Sequence, residues 1–308
     1  MKQRKLSIVF FLMTILGLYP IVGFSQQVKD VQEAFESLSA KPEVVFLSNE
    51  IKVPIESGHF QGVQLMQKNG IEKLLISGSS LTNAYVLQAD LSTRKTDTLI
   101  SLMNEPYRHA GGIQVSEPYM VVGIEDNVIK TTSKVNLYNY HNTNLHRAQP
   151  TSTIDRQGEA KKQTAGATGL LALDNGYLIL VSNWDSRNWE FYYIDPKKNE
   201  QKILGHFAAP DEWASYQSIN LIMDEQDIYA IGFYKKELLG AADLILVSTR
   251  ENFELVMKKV GTKTFNCSPE VDFGAAAGLQ VDKEGKLHIW GTQRTALKQI
   301  AINKFSQL

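Results

Sequence analysis

Two histidines each stand three residues before a glycine that opens an apolar run. His59 precedes Gly62 and His109 precedes Gly112, in the segments HFQGVQL and HAGGIQV. Histidine changes its charge near neutral pH, so it can move a proton or bind a metal ion through a ring nitrogen. Two histidines without a fixed carboxylate partner do not define a metal site. Hydrogen bonding within the fold is therefore the alternative explanation for both side chains.

Acidic, basic and aromatic residues follow the second apolar runs. Glu125 and Asp126 end one run, Asp185 ends the next, and Arg156 is expected in a nearby loop. A histidine with an acid can form an acid/base pair, and carboxylates can hold Ca²⁺. No D-x-D-x-D-G loop is present, so solvated loop charges are the alternative. Trp184 lies beside Asp185 at a strand end, where an exposed ring can stack on a sugar or another ligand.

Amides recur at the third position of the apolar runs. The residues at this position are Gln64, Gln114, Leu171, Asn220 and Gln280. If these runs line a channel, the amides are expected to form a polar ring around water or a ligand. The alternative is that they satisfy backbone groups or channel waters, as buried polar groups usually do.

Other reaction chemistry receives no support from the sequence. The patterns G-x-S-x-G, H-E-x-x-H and the P-loop are absent. Cys267 is the only cysteine, which excludes an intramolecular disulfide. Its segment FNCSPE is predicted to be a loop without a nearby histidine, so a packed or bystander thiol is favoured over a nucleophile.

A hairpin pattern returns five times along the chain and must position these residues. Each copy is a short apolar run, a turn and a second apolar run, with Asn-Gly turns at 69–70 and 175–176. The copies begin at Gly62, Gly112, Gly169, Ser218 and Gly278. Third runs lie at 84–91, 134–140, 189–195, 242–249 and 298–305, and fourth runs at 97–102, 201–207 and 253–260. Four strands per repeat at this spacing predict an all-β protein, a β-propeller.

The ends of the chain indicate how the propeller closes. The fifth repeat supplies three strands, and EVVFLSNEIKV at 43–53 is a strand-like run without a repeat of its own. Pairing this N-terminal strand with the last repeat removes exposed edges. We therefore predict five four-stranded blades over 43–308, with six possible if a degenerate repeat is present. A β-sandwich would not explain the regular return of the hairpin.

The N-terminus is expected to direct export. Lys2, Arg4 and Lys5 precede an uncharged apolar stretch, and small residues precede Gln26, so 1–25 is predicted to be a signal peptide. An uncleaved anchor is the alternative. Residues 26–42 form a predicted lead-in with a helix at 30–39 capped by Asp30. The protein is then expected to be secreted or periplasmic, without a membrane segment after cleavage.

Composition restricts the partners. The 32 Lys and Arg residues nearly balance the 33 Asp and Glu residues, for a net charge of −1. Basic residues are dispersed, and a nucleic-acid surface needs clustered positive charge to meet phosphates. We therefore expect no nucleic-acid partner, and we expect a monomer.

The segments HAGGIQV and GATGLLALDNGYLILVSNWDSRNWEFYY support a family resemblance. Over residues 105–195 the chain resembles a group of secreted bacterial β-propeller proteins with H-x-GG-[IL]-Q and GA-x-G motifs. The resemblance implies the fold and export, and it implies no particular activity. Calcium-dependent propeller phytases share the predicted architecture but use acidic clusters that this sequence lacks, so a phosphatase would be an analogy of fold alone.

Three functional hypotheses follow. The first is a binding or interaction scaffold whose channel-mouth loops hold a small molecule, glycan or peptide. The second is a hydrolase or lyase with a histidine and an acid at the same mouth. The third is a protein-interaction platform that uses the blade faces. The residues expected to bind a ligand are His59, His109, Gln64, Gln114, Glu125, Arg156, Trp184, Asp185 and Gln280.

Overall fold

The computed structural model describes residues 26–68, 70–140, 149–249 and 254–308. The predicted signal peptide at 1–25 lies outside the described residues. The described part contains the helix α1 (Val31–Glu36) and twenty strands. The strands are β1 (Glu43–Ser48), β2 (Phe60–Lys68), β3 (Ile71–Ser79), β4 (Asn83–Asp90), β5 (Lys95–Asn104), β6 (Tyr107–Ser116), β7 (Tyr119–Asp126), β8 (Thr132–Asn139), β9 (Ser152–Gln157), β10 (Ala167–Leu173), β11 (Gly176–Ser182), β12 (Asn188–Asp195), β13 (Glu200–Ala208), β14 (Ser218–Met223), β15 (Ile228–Lys236), β16 (Leu239–Thr249), β17 (Leu255–Phe265), β18 (Val271–Val281), β19 (Leu287–Gln293) and β20 (Gln299–Ser306).

The strands pair in antiparallel groups of four. The first four units are β2–β5, β6–β9, β10–β13 and β14–β17, each paired in chain order. The fifth unit consists of β18, β19 and β20, and β1 pairs antiparallel with β20 from Glu43–Lys304 to Ser48–Gln299. The expected pairing of the N-terminal strand with the last repeat is therefore present. The fourth strand of the second unit, β9, was not predicted because its segment STIDRQ contains a single large apolar residue.

The first strands of the five units meet around a common axis. β2, β6, β10, β14 and β18 contact one another in a ring, and single parallel pairs join Gly62 to Ala277 and Gly112 to Ala167. A Cβ atom on Gly112 would lie 2.8 Å from Ser218 Oγ and 2.9 Å from its Cα. Only glycine permits this approach, as expected for a crowded axis. We call the end where the first strands begin the histidine end, and the opposite end the turn end.

Apolar clusters between neighbouring units hold the ring together. Trp189 is fully buried and contacts Trp213 and Tyr216 edge-on, with ring centroids 6.1 Å and 6.0 Å away. The short helix α1 covers another cluster, where Phe35 joins Phe265 in the core. Such burial supplies stability without a disulfide. No helix among the described residues is long and apolar enough to cross a membrane.

The helix is shorter than predicted. The Asp30 side chain accepts a hydrogen bond from the Glu33 backbone N–H and caps the first turn, as expected. The helix ends at Glu36, and Leu38 instead forms a β-bridge with Gln307. Pairing with the fifth unit thus replaces the last predicted helical turn.

Candidate functional site

The two predicted histidines meet at the histidine end of the axis. The ring centroids of His59 and His109 are 6.2 Å apart. Gln61 lies between them, with its amide nitrogen 2.8 Å from His109 Nε2 and 3.2 Å from His59 Nε2. His109 Nδ1 lies 3.1 Å from Oε1 of the fully buried Glu125. We call these four residues the histidine cluster.

The hydrogen bonds of the cluster determine the proton positions. His59 Nδ1 lies 2.7 Å from the Phe60 carbonyl oxygen, which can only accept, so Nδ1 carries the proton. The Gln61 amide nitrogen can only donate, so the Nε2 atoms of both rings present lone pairs. The His109 Nδ1–H then faces Glu125, although the contact is too poorly directed to count as a hydrogen bond. Each ring thus presents one lone pair to Gln61.

The pKa of His59 predicts a dependence of stability on pH. Burial, with a smaller contribution from the charge of Arg294, lowers this pKa from 6.5 to about 4, although the hydrogen bond to the Phe60 carbonyl opposes the shift. The unfolded chain therefore binds this proton below pH 6.5, and the folded chain only below about pH 4. Proton uptake by His59 in the unfolded chain therefore lowers the free energy of unfolding as the pH falls from 6.5 to about 4. Above pH 6.5 the protonation of this group has no effect on the free energy of unfolding. A shift of this size corresponds to roughly 3 kcal/mol, and solvent screening at the half-buried ring reduces the effect.

The variant His59→Gln isolates this effect in urea unfolding at several pH values. The difference in unfolding free energy between wild type and variant should change between pH 6.5 and 4 and stay constant on either side. His206→Gln, at an exposed histidine, is the control. Parallel curves for wild type and His59→Gln would contradict the neutral state of the half-buried ring.

Gln114 belongs to the predicted amide ring and binds two other first strands. Its Oε1 accepts from the Leu170 N–H at 2.8 Å and from the Leu221 N–H at 2.7 Å. Its Nε2 donates to the Leu221 carbonyl at 2.7 Å. The side chain is fully buried. It therefore satisfies backbone groups of β10 and β14.

Gln64 and Asn220 extend this network across the axis. Gln64 Nε2 donates to Asn220 Oδ1 at 2.9 Å, and Gln64 Oε1 accepts from the Val115 N–H at 3.2 Å. Asn220 Oδ1 also accepts from the Leu279 N–H at 2.9 Å. We call Gln64, Gln114 and Asn220 the amide core. Its hydrogen bonds support the alternative from the sequence, satisfaction of backbone groups.

Gln280 does not join the amide core, which corrects the predicted ring of four amides. Its Oε1 accepts instead from Trp290 Nε1 at 3.0 Å. The pairs from Ala276–Thr292 to Val281–Leu287 are regular, but β18 meets β2 through Ala277 and Gly62, one residue before Gly278. Gln280 is therefore displaced by one residue from the position that the alignment gives it.

Arg156 and Glu125 are not the solvated loop charges that the sequence allowed. Arg156 lies on β9 with 4% of its surface exposed, and its Nε donates to Glu190 Oε2 at 2.8 Å. Burial alone would raise the pKa of Glu190, but the Arg156 charge and a hydrogen bond from Tyr192 hold it below its usual value. The pair joins the second and third units. Glu125 lies within β7, where Oε2 accepts from the Ala165 N–H at 2.8 Å.

Trp184 and Asp185 lie in the loop between β11 and β12. Trp184 is 51% exposed, as predicted, and the Lys130 ammonium is 4.7 Å from its ring centroid. Asp185 Oδ1 accepts from the Arg187 N–H at 3.2 Å and shapes the turn. Neither side chain is bonded to the histidine cluster in the described part of the chain.

A cavity of about 680 Å³ opens at the turn end of the axis. This volume is within the range of small-molecule sites. Gln64 and Gln280 are the two predicted site residues in its lining. The remaining lining side chains are apolar, amide or charged: Leu65, Met66, Val115, Leu279 and Val281; Gln26, Gln27 and Gln67; Glu72, Glu117, Asp282, Glu284 and Lys283. We call this cavity the turn-end pocket.

One buried polar atom in the turn-end pocket lacks a partner among the described residues. Gln26 is 5% exposed, its Nε2 donates to the Val115 carbonyl, and its Oε1 is buried without a hydrogen bond. Asp282 is engaged, because its Oδ2 lies 2.8 Å from His288 Nε2. Burial opposes ionisation of Asp282, but hydrogen bonds from His288 and two backbone N–H groups keep its pKa below the usual value. Four carboxylates and one lysine give the lining a negative potential.

Sequence reasoning missed both Gln61 and most of the turn-end pocket. Gln61 is two residues from His59, and alternation along a strand would have placed both side chains on one face. The acids Glu117 and Glu284 stand in turns whose sequences indicate only a hairpin. In the described ranges, no group of three or more His, Cys, Asp or Glu is placed to hold a metal ion.

Comparison with known proteins identifies the fold. No family model and no curated protein matches the chain. A GH43 endo-arabinanase from Bacillus licheniformis is similar in structure, with a TM-score of 0.52 and 9% identity over 82% of this chain and 96% of the other. The Dos1 propeller gives a TM-score of 0.40 at 11% identity, over 79% of this chain and 54% of the other. A DUF4221 member from Bacteroides vulgatus gives 0.41 at 12% identity, over 87% and 97%. The similarity to the arabinanase shows that the chain has a β-propeller fold.

Proposed function

We propose that this protein is an exported five-bladed propeller that binds a neutral oligosaccharide in the turn-end pocket. Each four-stranded unit is then one blade, and β1 completes the fifth. The observation that carries the proposal is the cavity of about 680 Å³, whose lining is rich in amide and carboxylate groups and includes the unpaired Gln26 Oε1. The histidine cluster and the amide core, by contrast, use most of their hydrogen-bonding groups within the protein.

The chemistry of the lining favours a neutral, hydroxyl-rich ligand. Hydroxyl groups donate and accept, which matches the amides of Gln27, Gln67 and Gln280 and the carboxylates of Glu72 and Glu117. The apolar lining can contact the faces of a sugar ring. Phosphate esters and uronic acids would be repelled by the carboxylates. The structurally similar protein named an endo-arabinanase adds an analogy of fold only.

Location and assembly are part of the same proposal. A leader at 1–25 would export the protein to the periplasm or beyond the cell, where soluble glycans are accessible. We propose a monomer without a nucleic-acid partner, in keeping with its dispersed charge. No cofactor is required for binding of this kind.

Blocking the turn-end pocket should abolish ligand binding and preserve the fold. Gln67 lines the pocket, and in Gln67→Trp the larger side chain should occupy it, while the backbone bond from Gln67 N to Glu117 Oε1 can remain. The thermal unfolding midpoint is measured against neutral oligosaccharides, uronates, phosphate esters and Ca²⁺. A ligand that binds the folded state raises the midpoint with concentration. We expect a neutral oligosaccharide to do so in wild type and not in Gln67→Trp.

Gln201→Trp is the matched control, because Gln201 is exposed on an outer strand. It should retain the full shift of the wild type. If the oligosaccharide raises the unfolding midpoint of Gln67→Trp as much as that of the wild type, the binding site lies elsewhere. If only phosphate esters raise the midpoint, the proposed class of ligand is wrong. No shift with any compound would favour the interaction-platform hypothesis.

The second candidate function is a hydrolase or lyase at the histidine cluster. It is favoured by the distance of 3.1 Å between His109 Nδ1 and the buried Glu125 carboxylate, which can orient a general base. His109 Nε2 already binds Gln61, so Gln61 must move before a substrate proton can be taken. Turnover that disappears in His109→Ala, with the fold retained, would establish this function. Binding without turnover would exclude it for the compounds tested.

A further inference from the structure

The histidine cluster presents two ring nitrogens to one point. His59 Nε2 and His109 Nε2 lie 3.2 Å and 2.8 Å from the same Gln61 amide nitrogen. Both atoms carry lone pairs, and the group between them supplies two positively polarised hydrogens. The arrangement is therefore complementary to a small cation.

The other ring nitrogen of each histidine lies beside a group of the kind that supports histidines in metal sites. A metal-binding histidine commonly donates its second N–H to a backbone carbonyl or a carboxylate, which fixes the tautomer and orients the ring. His59 Nδ1 donates to the Phe60 carbonyl at 2.7 Å, and His109 Nδ1 faces Glu125 Oε1 at 3.1 Å. The two histidines thus have both of the usual supporting groups.

We propose that the histidine cluster binds one transition-metal dication of the Zn²⁺ class, through His59 Nε2, His109 Nε2 and Gln61 Oε1. Rotation of the Gln61 amide about its terminal bond exchanges nitrogen and oxygen and supplies the third donor. Gln217 now donates to Gln61 Oε1, and its own amide can turn to accept from Gln61 instead. His59 is half-buried, so water can complete the coordination.

The donor atoms determine which metal fits. Imidazole nitrogens suit Zn²⁺, Cu²⁺ and Ni²⁺, whereas Ca²⁺ requires oxygen ligands. Zn–N bonds are about 2.0–2.1 Å, so binding must draw the two Nε2 atoms to within about 4 Å of each other. His59 can make this movement more readily than His109, because His109 is 8% exposed and packed against Glu125.

The test is a titration of the tag-free protein with Co²⁺, followed by absorption spectroscopy and displacement with Zn²⁺. We expect one site per chain, visible bands from nitrogen-ligated Co²⁺, and loss of these bands when Zn²⁺ is added. His59→Ala should weaken binding at least about tenfold, and Glu125→Gln about 10–100-fold through the supporting contact. Circular dichroism and the unfolding midpoint without metal verify that each variant is folded.

Two controls separate this site from other binding. His206→Ala, at a histidine with 67% side-chain exposure, and Gln67→Trp, in the turn-end pocket, should both bind Co²⁺ like the wild type. Absence of Co²⁺ and Zn²⁺ binding in the folded wild type would overturn the proposal. Unchanged binding in folded His59→Ala would overturn it equally.

Discussion

Gln114→Leu is expected to lower the free energy of unfolding by about 3 kcal/mol or more, because it leaves buried backbone groups without partners. The groups concerned are the N–H of Leu170 and both the N–H and the carbonyl of Leu221. Leucine has a similar volume but cannot replace any of these bonds. The midpoint of urea unfolding should therefore fall while its slope stays constant.

Gln280→Leu is the matched control for this experiment. Gln280 is the amide that the sequence pattern groups with Gln114, but its side chain is half-buried and accepts one bond from Trp290. Loss of this bond should cost about 1 kcal/mol. Equal destabilisation by the two substitutions would contradict the role of the amide core in joining the first strands.

Arg156→Met is expected to destabilise the fold by about 3 kcal/mol at neutral pH, the typical cost of breaking a buried ion pair from one side. Methionine retains much of the apolar stem, but Glu190 then loses its cation and stays largely buried. The Arg156 bonds to the Thr164 carbonyl and to Ser133 Oγ are lost as well. Urea unfolding of wild type and variant measures the difference.

The pH dependence identifies the ion pair as the cause. Arg156 holds the pKa of Glu190 below its usual 4.5 in the folded state, so the pair stabilises the fold above pH 4.5 and this stability is lost as the pH falls through the folded value. The difference in unfolding free energy between wild type and Arg156→Met should therefore decrease as the pH falls below 4.5. Lys162→Met removes an exposed ion pair with Glu159 and should cost less than about 1 kcal/mol at any pH. If the difference in unfolding free energy for Arg156→Met does not change with pH, the loss of stability results from packing and not from the ion pair.

Much of the architecture was predictable because it rests on local patterns. The Asn175–Gly176 turn and the apolar runs beside it predicted a hairpin, and β10 and β11 pair there as expected. The N-terminal strand was assigned by elimination, since it had no repeat of its own, and β1 does pair with β20. The meeting of His59 and His109 followed from their equal distance to the start of a first strand.

The polar interior was less predictable because hydrogen-bond partners come from distant strands. Gln114 binds Leu221, 107 residues away, and nothing in either segment indicates this partner. Arg156 looked like a solvated charge because its partner Glu190 lies on another unit. The turn-end pocket combines residues of the first, second and fifth units with Gln26, so no single segment carries its pattern. Sequence spacing located the axis, but it did not distinguish groups that support the fold from groups that remain free.

Backbone hydrogen exchange with and without the oligosaccharide that gives the largest midpoint shift tests the central proposal most directly. Ligand in the turn-end pocket should slow exchange in the turns at 116–119 and 282–286 and leave the segments at 59–61 and 107–111 unchanged. Glu117, Lys283 and Glu284 are exposed residues that line the pocket, so the amides of these two turns report its occupation. Protection confined to the segments around His59 and His109 would contradict the proposed site and move ligand binding to the histidine end.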